Sequence, residues 1–581
     1  MVKNNMSFLI GGDAGQGVES SGAGFAKALA RGGLHVFGLQ DYHSRIRGGH
    51  NFYQVRVNER SVFSHTEAVH LLLALTEETI HKHQRDLVAG SGIVFDEEVE
   101  VPKSELEKRG VKLFPVPMSK MAKEHGGAEV MRNTAVIGAA AGLTEYEFDR
   151  IADVIEDNFQ KKGGAVVENN LKVARAAYRF ARENYAPDFD YKVEPVDGPR
   201  RMVINGNQAF CLGAVLSGCK FVAGYPMTPA TSVLEWMSTH AQRLGVVTKH
   251  TEDEIAAVCM AIGAAHAGVR AMAPTSGGGF SLMVEGLGLA AMTETPVVIL
   301  EAQRPGPSTG FATRTEQGDL QFILHASQGE FPRIVLAPGT VEQCFQAGAR
   351  AFNLAEKYQC PVIILSDNYL ANSLRTIDRE DFNFSQVEID RGTFLFDQDL
   401  DGLSGEYKRY RFTDSGISPR AVPGHPRAVY ATSSDEHDEF GHIAEDADNR
   451  IKMMDKRMRK LQAAAEEMGE PELYGPEEAD LTFISWGSTY GPLREVVDTL
   501  NQKGSRANLL AIMDIWPFPT ARVAEVLDRA KRTIGVESNY SGQMAELIRV
   551  CTGREVTEKI LRYDGRPISP EYILTRLNGG G

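Results

Sequence analysis

The octet Gly224-Tyr225-Pro226-Met227-Thr228-Pro229-Ala230-Thr231 constrains this chain more than any other stretch. It follows an apolar run, Lys220 to Ala223, that reads as a short buried strand. Proline fixes φ and removes a backbone donor, so two prolines around one hydroxyl residue make the loop stiff, extended and non-helical. In an open α/β sheet, ligands bind outside the carboxyl ends of strands. A rigid loop holding Thr228 at such an end reads either as a substrate clamp or as a plain strand-to-helix turn. The octet alone leaves both readings open.

The surroundings of the octet favour an open sheet. Between Arg201 and Asn372, candidate strands Met202–Ile204, Phe221–Ala223, Val246–Lys249, Arg270–Ala273, Val297–Leu300, Ile334–Ala337 and Val362–Leu365 alternate with helical patterns. That alternation predicts a doubly wound, mostly parallel sheet. One of its helices, following Asp253, places Ile255, Val258, Ile262 and Ala265 on one face. Upstream, strand Phe8–Ile10 runs through a glycine-rich turn into a helix from Val18 to about Arg31, stopped by Gly32-Gly33. Downstream, strands Leu481–Ser485, Ala507–Met513 and Thr533–Val536 alternate again. The reading is a multidomain α/β chain, and 581 residues accommodate it. Its parts are a first domain over 1–190, a linker over 191–200, the doubly wound domain over 201–372, a charged, loop-rich insertion over 373–475, and a last α/β domain over 476–581.

Bulk properties exclude several classes. A formal net charge of −15 argues against nucleic acid as a partner. No apolar run reaches the length of a membrane span. The start, Met1-Val2-Lys3-Asn4-Asn5, has no signal-peptide pattern, so a cytoplasmic protein is expected. The cysteines Cys211, Cys219, Cys259, Cys344, Cys360 and Cys551 form no C-x-x-C pair. No zinc or iron–sulfur ligation is therefore expected within this chain, and any cluster belongs to another one.

Five segments carry candidate chemistry. Gly11-Gly12-Asp13-Ala14-Gly15-Gln16-Gly17 sits between a strand and a helix, where backbone N–H groups and a positive helix end receive anions. It is neither a phosphate loop ending in Gly-Lys-Ser/Thr nor a dinucleotide fingerprint, and a purely steric glycine turn stays open. Tyr42-His43-Ser44-Arg45-Ile46-Arg47-Gly48-Gly49-His50 concentrates cationic side chains, and arginine recognises carboxylate and phosphate in a bidentate manner. Glu252-Asp253-Glu254 opens a helix. The first two read as capping and dipole residues, while Glu254 precedes the apolar face and is expected to point into a cleft. Arg304-Pro305-Gly306-Pro307-Ser308-Thr309-Gly310-Phe311-Ala312-Thr313-Arg314 places arginine and hydroxyl groups on a stiffened loop after a strand. The acidic and histidine-containing run from Asp435 to His442 lacks zinc spacing and reads as a solvated loop.

Taken together, these residues resemble the α chain of the 2-oxoacid:ferredoxin oxidoreductases with a γ domain fused at its N-terminus. Gly11-Gly12-x-x-Gly15-Gln16-Gly17 and Arg47-Gly48-Gly49 look like the γ part. Tyr225-Pro226-Met227-Thr228-Pro229 resembles a Tyr-Pro-Ile-Thr-Pro signature, and Arg304-x-Gly306-Pro307-Ser308-Thr309-Gly310 its Arg-x-Gly-Pro-Ser-Thr-Gly. Trp486-Gly487-Ser488, Pro517-Phe518-Pro519 and Asn539-x-x-Gly542-Gln543 look like a transketolase-C-terminal-like domain. The resemblance implies a thiamin diphosphate enzyme whose pyrimidine-binding domain is 201–372. It implies Glu254 as the residue that activates the cofactor, and Thr228 and Arg304 as catalytic groups holding a 2-oxoacid. Tyr225, Pro226, Thr313, Arg314, His43, Arg45 and Arg47 are expected to bind substrate. Gly15, Gln16, Gly17, Asn539 and Gln543 are expected near a cofactor or coenzyme A. The implied reaction is the reversible, coenzyme A-dependent oxidative decarboxylation of a 2-oxoacid, with electrons passed to ferredoxin.

Departures from the family pattern sharpen the expectation. The diphosphate signature, Gly-Asp-Gly followed by a later Asn, is absent, and so is a cluster-binding cysteine set. Magnesium, the diphosphate grip and a 4Fe-4S cluster are therefore expected on a β subunit, in an assembly of two α–β pairs. The basic Ser44-Arg45-Ile46-Arg47 loop favours 2-oxoglutarate, with its distal carboxylate, over pyruvate or branched 2-oxoacids. Two rivals remain: a thiamin enzyme that does not use ferredoxin, and a non-catalytic nucleotide- or coenzyme A-binding regulatory subunit.

Overall fold

A computed structural model describes residues 1–42 and 49–579, in two compact units. The first comprises Met1–Asn205, Asn372–Asp381 and Ser569–Gly581; the second comprises Gly206–Ala371 and Phe382–Ile568. No helix among the described residues is long and apolar enough to cross a membrane.

The first unit is built on a mixed sheet. Among the described residues its strand order is Lys112–Val116, Leu87–Asp96, Val69–Ala74, Met6–Asp13, His50–Asn58, His35–Asp41, Leu374–Ile377 and Met202–Ile204. Strand Met6–Asp13 is buried along nearly its whole length and feeds helix Val18–Arg31 through the Gly15–Gly17 turn. That helix packs Phe25 edge-on against Phe8, in a core with Tyr53 and Tyr146. The stretch expected as a linker is bonded into this unit. Tyr191–Lys192 pairs with Val2–Lys3, and Val196 N donates to Gly32 O. Strand Met202–Ile204, expected in the second sheet, instead pairs with Leu374–Ile377 of the first. Three residues without alternation give no signal for which sheet they join.

The second unit holds the doubly wound sheet. Its order among the described residues is Val247–His250, Phe221–Gly224, Ala271–Thr275, Val297–Gln303, Pro361–Asp367, Ile334–Leu336 and Asp514–Trp516, all parallel except the last pair. Strands Val297–Gln303 and Pro361–Asp367 are buried at every residue, as central parallel strands covered on both faces must be. A further sheet, containing Leu481–Ser485, Ala507–Ala511 and Thr533–Glu537, shares one apolar cluster with it, in which Ile299 and Ile363 join Ile484, Leu510 and the fully buried Trp486.

The charged stretch after residue 382 is held against this unit by buried ions. Arg270, Arg391 and Arg420 all converge on the buried Glu356. Helix Ala447–Glu467, capped by Asp446, inserts Lys456 and Lys460 onto Glu294, all three fully buried. The Asp435–His442 run is not the solvated loop expected from its composition. Glu436 is gripped by Arg450 and Arg457, and His437 is buried against the Tyr410 ring. Charge alone did not reveal these partners, because they come from a helix further along the chain. Helix Glu254–His266 buries Val258, Ile262 and Ala265, but Ile255 is half exposed and lies on its outer face.

Candidate functional site

In the doubly wound sheet, strand Phe221–Gly224 has its sequence successor, Val247–His250, on one side and Ala271–Thr275 on the other. The strand order thus reverses at Phe221–Gly224, and the crevice at its carboxyl end is where such sheets bind ligands. Tyr225–Ala230 leaves from that end. Asn207 Nδ2 anchors this loop by donating to Pro229 O at 3.0 Å, and Met227 Sδ accepts from Gly279 N at 3.1 Å. The Arg304 loop leaves the neighbouring strand Val297–Gln303, and Arg304 Nη1 donates to Thr228 O at 2.8 Å. The two stiff loops singled out in the sequence are therefore joined by a direct bond.

Glu254 faces the same crevice. Asp253 caps the helix, its carboxylate accepting from Ala256 N at 2.7 Å, which leaves Glu254 as the first helical residue. Its side chain is only 3% exposed, and Oε1 has no hydrogen-bond partner among the described residues. Burial raises its pKa, while Arg304 pulls the other way. An orphaned, buried carboxyl oxygen costs free energy unless something outside the chain satisfies it. Room for it comes from Gly279, in the first turn of helix Gly277–Met292. A Cβ there would lie 2.5 Å from Glu254 Oε1 and 2.2 Å from Thr275 Oγ1. The triple glycine Gly277-Gly278-Gly279 carries this signal in the sequence, but only contact with Glu254 gives it meaning. Gly279→Ala is expected to displace the carboxyl and lower kcat by roughly a hundredfold, the scale of a 1 Å misplacement of a reacting group. Steady-state assay of the complex, with circular dichroism to verify the fold, checks this.

The other candidates fall into three groups. Tyr225 and Pro226 are exposed at the mouth of the loop, the Tyr225 ring centroid 6.1 Å from that of His250. Thr313 and Arg314 are half-buried further along the Arg304 loop, where Arg314 O accepts from Asn368 Nδ2. Asn539 and Gln543 are committed within the chain: Asn539 Nδ2 donates to Gln317 O and Gln543 Nε2 to Gly318 O, so both hold the 317–321 segment. Gly15, Gln16 and Gly17 belong to the first unit. There Gln16 Oε1 accepts from Asp13 N, beside a cavity of about 250 Å3 also lined by Arg132 and Asn133. His43, Arg45 and Arg47 lie outside the described residues. No group of three or more His, Cys, Asp or Glu side chains among the described residues is placed to hold a metal ion.

A buried carboxylate in the field of Arg304 lies at the switch point of this doubly wound sheet, within the stretch that family comparison describes as thiamin diphosphate-binding. Residues 212–456 match the profile described as pyruvate flavodoxin/ferredoxin oxidoreductase, thiamine diP-bdg. Residues 7–180 match pyruvate ferredoxin/flavodoxin oxidoreductase, and 479–573 match pyruvate:ferredoxin oxidoreductase core domain II. The 2-oxoacid:ferredoxin oxidoreductase subunit alpha of a Sulfolobus species is 34% identical, covering 97% of this chain and 95% of its own. The 2-oxoglutarate synthase subunit KorA of Methanothermobacter marburgensis is 33% identical, covering 65% of this chain and 98% of its own. The solved 2-oxoglutarate:ferredoxin oxidoreductase from Magnetococcus marinus, with 2-oxoglutarate, coenzyme A and succinyl-CoA bound, superposes with a TM-score of 0.91 at 33% identity over 99% of each chain. The chain belongs to the family of 2-oxoacid:ferredoxin oxidoreductase α subunits.

Proposed function

We propose that this α subunit, together with a β subunit, converts 2-oxoglutarate, coenzyme A and oxidised ferredoxin reversibly into succinyl-CoA, carbon dioxide and reduced ferredoxin. The observation that carries the reading is the buried, unpartnered Glu254 Oε1, in the crevice where Arg304 is bonded to the Thr228 loop. Thiamin diphosphate fits this orphaned oxygen, and when bound it supplies an electron sink for the bond to the departing carboxylate. Glu254 is the group that exchanges a proton with its aminopyrimidine ring. Arg304 and the Thr228 side chain hold the 2-oxoacid at its carboxylate and keto oxygen, with Tyr225, Pro226, Thr313 and Arg314 shaping the entrance. Burial of the Glu254 carboxyl strengthens charge interactions around it.

The partner assignments follow the same logic. The outer face of helix Glu254–His266 exposes Ile255, Cys259 and Met260, and the next helix exposes Leu282. An apolar face beside the crevice is the surface on which the β subunit docks, bringing the diphosphate grip, magnesium and a 4Fe-4S cluster to the opening. Two such pairs make the active assembly, in the cytoplasm. The Gly15–Gly17 loop, next to Arg132, presents backbone N–H groups suited to the phosphates of coenzyme A.

Side-by-side assay of 2-oxoglutarate, pyruvate and branched 2-oxoacids by the reconstituted complex tests the substrate. Arg45→Ala is expected to lower kcat/KM for 2-oxoglutarate relative to pyruvate by roughly ten- to a hundredfold, the worth of one charge-assisted hydrogen bond. An unchanged ratio excludes Arg45 as the distal-carboxylate partner.

A further inference from the structure

The first unit carries a row of arginines that its carboxylates leave unpaired. Helix Gly164–Tyr185 packs against helix Arg132–Leu143 at two glycines: a Cβ on Gly138 would lie 2.2 Å from Ala174 O, and one on Gly142 would lie 2.2 Å from Tyr178 O. That close approach buries Ala174, Ala177, Tyr178 and Ala181. The adjoining stripe of the helix, Arg175, Arg179 and Arg182, is turned outward, and all three are exposed. Together with Phe148, Tyr178 and Glu183 they line a cavity of about 440 Å3. Nearby cations are paired: Lys172 with Glu168, and Arg150 with Glu147 beside Phe148. None of the three arginines forms an ion pair with a carboxylate among the described residues, Glu183 included. In a chain of net charge −15, three adjacent unpaired arginines over one cavity are a local excess of positive charge.

The floor of the cavity is aromatic and fixes two of the guanidinium groups. Phe148, from helix Phe148–Phe159, meets Tyr178 edge-on with ring centroids 5.3 Å apart, and both residues are buried. Arg175 Cζ lies 4.3 Å from the Phe148 centroid. Arg182 Cζ lies 5.9 Å from the Tyr178 centroid, and Arg182 Nη1 donates to the Tyr178 hydroxyl at 3.5 Å. A guanidinium backed by a ring keeps its N–H edge and its outer face for a ligand. The edges pair with phosphate in a bidentate manner, and the planar face stacks on an aromatic base. Arg175 to Arg182 spans about 10 Å along the helix axis, so the three forks can converge on neighbouring phosphates. We infer that this cavity is a nucleotide-binding site, with the base laid on the Arg175 plane and the phosphates held by Arg179 and Arg182. The inference goes beyond the 2-oxoacid reading and does not depend on it. The chemistry recognised is a nucleoside carrying two or more phosphates. A free nucleoside di- or triphosphate supplies it, and so does the adenosine diphosphate end of coenzyme A. An acidic peptide would use the N–H edges but leave the stacking plane idle, which favours the nucleotide.

The test is calorimetric binding of ADP, ATP, coenzyme A and inorganic pyrophosphate to the reconstituted α–β complex, which needs no turnover. Arg179→Gln and Arg182→Gln should each weaken nucleotide binding roughly tenfold, the worth of one charge-assisted hydrogen bond. Arg175→Gln should weaken the nucleotides and leave pyrophosphate unchanged, because its plane meets the base. Glu183→Gln removes the one acidic lining residue and should tighten binding by about twofold, a change of sign that misfolding does not produce. If coenzyme A weakens in parallel with ADP, its nucleotide end is the ligand; if coenzyme A is unchanged, the ligand is a free nucleotide. Nucleotide should also slow modification of these arginines by a dicarbonyl reagent. The inference is overturned if none of ADP, ATP and coenzyme A responds to the arginine substitutions, or if pyrophosphate binds as tightly as ADP. It is equally overturned if the reagent fails to reach the three arginines in the nucleotide-free complex, since the row would then be a contact with the partner subunit.

Discussion

Replacing Glu254 with glutamine is expected to lower kcat of the α–β complex about a thousandfold, within the range typical of a lost general acid–base group. The side chains are nearly isosteric, so the contact with Gly279 survives. What disappears is the ability of Oε1, buried and without a partner in the chain, to take up and release a proton. The variant is expected to unfold at the same temperature as the wild type or slightly higher, because burial disfavours the charge that the substitution removes. Activity lost with stability kept separates a chemical role from a structural one. Retained turnover would instead favour the regulatory-subunit reading. Single-turnover kinetics alongside thermal unfolding provide both measurements.

Replacing Glu294 with glutamine is expected to produce the opposite pattern, a stability loss of about 3–5 kcal/mol, the usual consequence of stripping one partner from a buried ionic cluster. Burial alone would raise the Glu294 pKa. Lys456, Lys460 and Arg409 overcome that and hold it well below the ordinary carboxylate range. Burial pulls Lys456 down to about 7 even with Glu294 present. A lysine whose folded pKa lies below its unfolded one sheds its proton on folding, so stability rises with pH between about 7 and the unfolded value of 10.5. Without Glu294 the lysines are harder still to keep charged, so the deficit of Glu294→Gln should shrink as pH is raised to and through about 7, above which Lys456 is neutral in both folded proteins. Lys456→Met leaves Glu294 with Lys460 and Arg409 and should cost less. Denaturant unfolding at two pH values checks this, and equal losses in the two variants would refute an electrostatic cause. Glu294 follows helix Gly277–Met292, whose other end abuts Glu254 and Asp319. A loosened cluster is therefore expected to reach the site through that helix.

Much of the frame was legible because it rests on local rules. Apolar runs bounded by glycine and proline located Leu481–Ser485 and helix Val18–Arg31 with the ends they have in the structure. Asp253 read as a cap and is one. Less was legible where partners are distant in sequence. The Asp435–His442 run looked like solvated charge until Arg450 and Arg457 closed on Glu436. Ile255 fitted the helical period of a core face yet lies outside it, because periodicity gives spacing and not which side meets the sheet.

The sequence by itself determined the alternating α/β frame, the two proline-stiffened loops and the absence of cysteine pairs from this chain, since each depends on residues a few positions apart. Only the tertiary structure decided that the loops meet through Arg304 and the Thr228 carbonyl, that Gly279 clears space for Glu254, and that Glu301 is buried with neither carboxyl oxygen bonded among the described residues. The reason is physical. A parallel sheet aligns the ends of strands far apart in sequence, and burial among them gives a carboxyl group an energetic cost that no run of letters records.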